Sequence, residues 1–166
     1  MRPGQPVLVD TNIIIEAVRT NCWTALRTHF RIETVEKCCE EARTGRLHRP
    51  GYVAIEEKML REKLVTNVVA DSDLVRLSIQ YANAAFLDDG ERHLWAHAAV
   101  RDDVWIASTG DKAAFFAACT LGWRERMISL EELADSSGAR HALKQIKPHF
   151  TKARLEQWGM EFALRS

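Results

Sequence analysis

The stretch Val7 to Ala17, "VLVDTNIIIEA", interrupts an apolar run with a single carboxylate, Asp10, and resumes it at Ile13. An ionised carboxylate left unpaired in a core costs several kcal/mol. Asp10 must therefore stand at the edge of whatever "PVLV" builds, met by a cation, a metal or hydrogen-bond donors. A second stretch repeats the device: "VWIASTGD" is apolar and then, after a small turn, reaches Asp111. Two buried strands that each end near an acid and lead into a helix suit a parallel sheet. Ligands of such sheets bind beyond the carboxyl ends of the strands.

The rest of the chain alternates in the same way, which argues for an α/β fold with a mainly parallel sheet. "PVLVD" predicts a strand, with Thr11 or Asn12 capping a helix over Ile13–Arg19 and Asn21 capping another over Cys22–Phe30. "FRIET" predicts a strand and "VEKCCEEARTG" a helix ending near Gly45. A basic loop, "RLHRPGY", and a charged helix over Val53–Leu64 follow. "VTNVVA" reads equally as a strand or a helix end. "DSDLVRLSIQYANAAF" spaces Leu74, Leu77, Ile79, Ala82 and Phe86 for a helix capped by Asp71 or Ser72. Then come a helix in "DDGERHLWAHAAVR", a strand in "DVWIAST", a helix in "DKAAFFAACTLG", a short strand in "RMISL" and a short helix in "EELADSS". Beyond Gly138, one helix is expected to run to Lys147 and another from Lys152 to Phe162, with Pro148 between them.

At 166 residues the chain is long enough for one domain with its own core. It has no apolar run of membrane-spanning length and no secretory leader pattern, so the expected location is the cytoplasm, with no membrane partner. Its four cysteines form no CxxC pair, which favours thiols over a zinc knuckle. Net charge is zero but unevenly spread. Residues 1–138 carry 17 Lys and Arg against 21 Asp and Glu, and residues 139–166 carry 6 against 2.

Asp10, Asp111 and Glu91 in "LDDGERHL", with Asp88 and Asp89 just before it, would bring several carboxylates to one sheet edge. Without matching Lys or Arg they would repel one another, and a hard divalent cation with oxygen ligands, Mg²⁺ or Mn²⁺, resolves that. Taken singly, Asp10 and Asp111 read as helix caps and Glu91 as a first-turn acid favoured by the helix dipole. Their order and spacing favour the joint reading.

On these residues the chain resembles the PIN-domain nucleases. The family's opening pattern appears as "VLVDTNIII", its middle pattern as "LDDGERHLWAHAA" and its late pattern as "VWIASTGDKAAF". The resemblance covers residues 6–130 or so. It implies a three-layer α/β/α catalytic domain over 1–138, with residues 139–166 as a basic helical extension packed on the domain or on a partner. It implies metal-dependent endonucleolytic hydrolysis of RNA phosphodiesters with Mg²⁺ or Mn²⁺, as in toxins of toxin–antitoxin pairs. Asp10, Glu91 and Asp111 would be metal ligands and, with Glu41, the catalytic acids, with Asp88 as an alternative acid. Thr11 or Asn12 would steady Asp10, and Thr109 would steady Asp111. The acid expected early in the helix after the second strand is Glu41, which fits the family's spacing to Gly45, with Glu36 next and Glu40 third. A protein inhibitor that places an Arg among the carboxylates is the implied protein partner. Separately, the aromatic and apolar groups of "LEQWGMEFAL" favour packing over free solution, as against a second subunit in a homodimer.

Other signals carry less. Lys112 could meet a phosphate or simply be solvated. Arg140, Lys144, Lys147, Lys152 and Arg154 could track RNA phosphates, dock on the acidic body, or form a solvated face. His93 and His97 form HxxxH, which reads as helix coincidence because the HExxH glutamate is missing. Two rival functions remain: a non-catalytic module whose acids bind a basic peptide, and an aspartyl-phosphate phosphatase, disfavoured because Asn12 replaces its second Asp.

Overall fold

A computed structural model describes residues 1–44, 55, 60 and 62–165. Among these residues four short strands, β1 (Pro6–Val9), β2 (Arg31–Val35), β3 (Val65–Asn67) and β4 (Ile106–Ser108), form one sheet in the order β3-β2-β1-β4. Every pairing is parallel, with Val9 opposite Ser108. The α/β expectation is met. Strand β1 has β2 on one side and β4 on the other, so the chain reverses its winding direction between β1 and β4. At such a switch point a crevice opens beyond the strand ends.

Successive residues of β1 serve opposite faces. Val7 and Val9 join a core with α1 (Thr11–Arg19), α2 (Trp23–His29) and α7 (Leu130–Ser136). Leu8 joins a second core with α5 (Asp89–Ala99), α6 (Lys112–Thr120) and α8 (Lys152–Ala163). Burial on both sides explains why these strands read as continuous apolar runs rather than alternating ones. Helix α3 (Glu36–Thr44) contributes Cys39 to the first core and Cys38 to the second. All four cysteines are free and buried. Among the described residues, no helix is long and apolar enough to cross a membrane.

Several local expectations change. The open segment 65–67 is a strand, paired to β2. Helix α4 (Asp71–Gln80) has Ala70, not Asp71 or Ser72, at its cap, and the chain leaves it at Tyr81 for a 3₁₀ segment, Ala82–Phe86. "RMISL" forms no strand of its own: Met127 makes a single parallel bridge to Ala107. Asn21 does not cap α2; it takes a left-handed turn (φ 59°), and Cys22 holds the cap position. In place of a helix up to Lys147, the chain makes one 3₁₀ turn at Arg140–Ala142, and a second follows at Pro148–Phe150. Thr151 then caps α8 by accepting from the Arg154 amide. The basic loop at 46–52 and most of the charged helix at 53–64 lie outside the described residues.

Candidate functional site

Strands β1 and β4 end side by side, and the residue after β1 is Asp10. Its Oδ1 accepts from the Ile13 amide at 2.8 Å, capping α1, and its Oδ2 accepts from the Thr109 hydroxyl at 2.5 Å. Thr109 stands just after β4, opposite Asp10, because Val9 pairs with Ser108. The sequence assigned Thr109 to Asp111 and Thr11 or Asn12 to Asp10. In the structure Thr11 donates to Glu41 instead, and Thr109 serves both Asp10 and Asp111. Thr109 Oγ1 donates to Asp10 while accepting the Asp111 amide at 3.0 Å. Cap and site are not alternatives here, since Asp10 caps α1 and still faces the crevice.

That crevice is a cleft lined by Asp10, Thr11, Asn12, Ile15, Glu41, Asp88 and Glu91. The sequence did not single out Ile15, a turn along α1 from Thr11 and readable as core. Glu41 is the acid that α3 presents. Its Oε2 accepts from the Thr11 hydroxyl at 2.8 Å and its Oε1 from the Gly90 amide at 2.9 Å. A Cβ at residue 90 would stand 2.9 Å from Glu41 Cδ, so glycine is what lets the carboxylate reach the start of α5. Glu36 and Glu40 are corrected out of the site. They line a separate groove with Lys37 and His93, turned about 100–140° round α3 from Glu41.

Asp88 occupies the cap position of α5 without capping by its side chain, and Glu91 follows in the first turn. Asp111 caps α6, its Oδ1 accepting from the Ala113 and Ala114 amides at 2.6 and 3.0 Å. It stands at the margin of the cleft rather than in its lining. Lys112 is turned away: its ammonium pairs with Glu161 of α8 and lies 5.5 Å from the Phe116 ring centre. The HxxxH histidines also separate, His93 bonding to the Asp89 carbonyl while His97 faces Glu33 and Arg101.

The electrostatics are lopsided. Burial pushes the Asp10 carboxyl up to about 6, against the opposing effect of the Thr109 and Ile13 hydrogen bonds, and Asp111 adds to the rise. Burial, then the charges of Asp10, Asp111 and Asp88, push Glu91 up to about 9. No Lys, Arg or His is among the described residues that line the cleft. The donor set fits a hard divalent cation: all oxygen, anionic, with no competing ammonium. Among the described residues, no group of three or more His, Cys, Asp or Glu is already arranged to hold an ion. A cation here would be held by one or two carboxylates with water completing its shell, the usual habit of Mg²⁺.

The basic residues of the C-terminal segment are mostly engaged. Arg140 pairs with Asp135, Lys147 with Glu16, Lys152 with Glu132 and Glu156, and Arg154 donates to Gln157. Lys144 is exposed and has no ion pair among the described residues. No family model matches the chain, and no curated protein matches it.

Proposed function

We propose that the chain is a PIN-like endoribonuclease that hydrolyses RNA phosphodiesters with the help of Mg²⁺ or Mn²⁺. One observation carries this reading: at the winding reversal of a parallel sheet, Asp10, Glu41, Asp88 and Glu91 line one cleft, with no cation among the described lining residues. Such an arrangement costs stability without a counter-charge and makes sense as a cation seat.

Asp10 and Glu91 would hold the ion, with Asp111 beside them. The ion would supply charge stabilisation at a phosphate oxygen and a lowered pKa for a nearby water. Glu41, fixed at both oxygens by Thr11 and Gly90, forms an immobile anionic wall that orients whatever binds against it. Burial and the charges of Asp10, Asp111 and Asp88 favour the protonated form of Glu91, and a cation would offset them and hold it ionised as a ligand. Thr109 keeps Asp10 in one orientation.

Cleavage of a mixed structured RNA tests this reading, comparing wild type with Asp10→Asn under Mg²⁺, Mn²⁺ and EDTA. The expected result is cation-dependent cleavage that falls by at least about a hundredfold in the variant. Cleavage at the wild-type rate by Asp10→Asn would remove the assignment. The lack of a pre-arranged three-ligand site favours one second reading, in which the cleft receives the guanidinium of a partner's arginine. Folded wild-type protein that binds basic peptide and cleaves under no condition would select it.

A further inference from the structure

We infer that the segment after Gly138 is part of the hydrolytic apparatus rather than an appendage to it, and that Phe150 is a positioning residue for the Thr109–Asp111 turn. The inference rests on the reading of the cleft given above.

The key contact is between Phe150 and Gly110. Gly110 lies between Thr109, which donates to Asp10, and Asp111, which caps α6. The Phe150 ring sits so close to the Gly110 α-carbon that a Cβ there would stand 2.7 Å from Cδ1 and 2.9 Å from Cζ, with Cε1 nearer still. Ring atoms cannot swing away as the end of a lysine could. Phe150 is itself buried, in the core shared with β1, α1 and α7. The turn that carries two site residues is thus backed by a rigid ring anchored in the core.

Further ties hold the ring's own segment against two of the helices that start at the cleft, α1 and α6. On the α1 side, Glu16 accepts the Lys147 amide at 2.8 Å, and Arg19 donates to the Gln145 carbonyl. On the α6 side, Trp158 packs 5.8 Å from Phe115 and Phe162 packs 5.6 Å from Phe116, centre to centre, while Lys112 pairs with Glu161. Between them, Glu131 accepts the Lys152 amide at 2.8 Å. The segment therefore spans from α1, whose cap is Asp10, to α6, whose cap is Asp111. It fixes the separation of the two carboxylates by bracing the helices they begin. Its cations Arg140, Lys144, Lys147 and Lys152 are exposed, whereas its apolar side carries the buried contacts, so the packing identifies its role.

The test uses Phe150→Ala and Phe150→Leu, Gly110→Ala, and the double variant Gly110→Ala/Phe150→Ala, with Asp10→Asn as reference. Thermal unfolding screens for folding; Phe150→Leu keeps most of the apolar volume and serves if Phe150→Ala does not fold. The expected result is a kcat on RNA lowered about tenfold or more with KM little changed, and a Mn²⁺ affinity weakened severalfold. Gly110→Ala should be impaired likewise, and the double variant should recover part of that loss, because removing the ring makes room for the new Cβ. Wild-type kcat and Mn²⁺ affinity in a folded Phe150 variant would overturn the inference. So would a change in KM alone, which would mark the segment as an RNA grip. If wild type neither binds Mn²⁺ nor cleaves, the reading of the cleft fails separately. Hydrogen exchange of the Asp111 amide, which donates to Thr109 Oγ1, then decides the positioning role: faster exchange in Phe150→Leu supports it, and unchanged exchange refutes it.

Discussion

At the scale of single residues, the cleft has consequences for stability with pH. Asp10 is raised from 3.8 to about 6 and Glu91 from 4.5 to about 9, in both cases chiefly by burial. Between the unfolded and folded values the native state holds more protons than the unfolded one, so stability declines as pH rises. Without divalent cation, the melting temperature should therefore fall from pH 5 to pH 9. Glu91→Gln should flatten that slope and add roughly 1–3 kcal/mol at neutral pH, since it removes the cost of taking up a proton that the unfolded carboxyl has released. A pH series of thermal melts on the two proteins checks this, and an unchanged slope in Glu91→Gln would count against it. Glu33 behaves in the opposite sense. Burial would raise it, but His97, Arg101 and Arg31 outweigh that and hold it at about 2. Its contribution is present above the usual glutamate range and is lost as pH falls from about 4.5 towards 2. Arg101→Ala would leave Glu33, 1% exposed, without its 2.5 Å partner and should cost roughly 3 kcal/mol, measured by urea unfolding.

At the scale of elements, Gly90 joins two of them, because only a residue without a Cβ lets Glu41 of α3 meet the first turn of α5. Gly90→Ala should displace the Glu41 carboxylate and lower cleavage about tenfold or more while α5 remains helical, as circular dichroism would show. Substantial activity in that variant would mean that the Glu41 wall is dispensable. This level also shows what the sequence could and could not reveal. Strand ends at Asp10 and near Asp111 were legible because an acid that stops an apolar run has few places to go. The choice of Glu41 over Glu36 rested on the resemblance, through its spacing to Gly45; helical spacing said only that Glu40 and Glu41 take different faces. The partner of Thr109 was not. It depends on β1 and β4 being neighbours in register, a pairing across nearly a hundred residues that no local pattern encodes. The break at Tyr81 and the loss of the expected helix before Lys147 were hidden for a related reason: apolar spacing in both segments suits a helix, and tertiary packing decides otherwise.

At the scale of the whole molecule, the charge division at residue 138 suggested a body with an appendage, yet the buried side chains cross that boundary. Ala142, Ile146 and Phe150 lie in the core with Val7 and Val9, while Leu155 and Trp158 lie in the core with Leu8 and Phe115. A chain cut after Gly138 should expose both cores and lose cooperative unfolding, as calorimetry would show; a cooperative transition at the wild-type temperature would establish an autonomous body. The same continuity is why a segment remote in sequence can act on the turn at Gly110.

If the carboxylates of the cleft form a cation seat, titration calorimetry with Mn²⁺ in two buffers of different ionisation enthalpy will show it. The predicted result at neutral pH is saturable binding accompanied by net proton release, as cation binding draws Asp10 and Glu91 into their ionised forms, with both heat and proton release lost in Asp10→Asn. Absence of binding by folded wild type, or binding to Asp10→Asn with wild-type affinity, would contradict it.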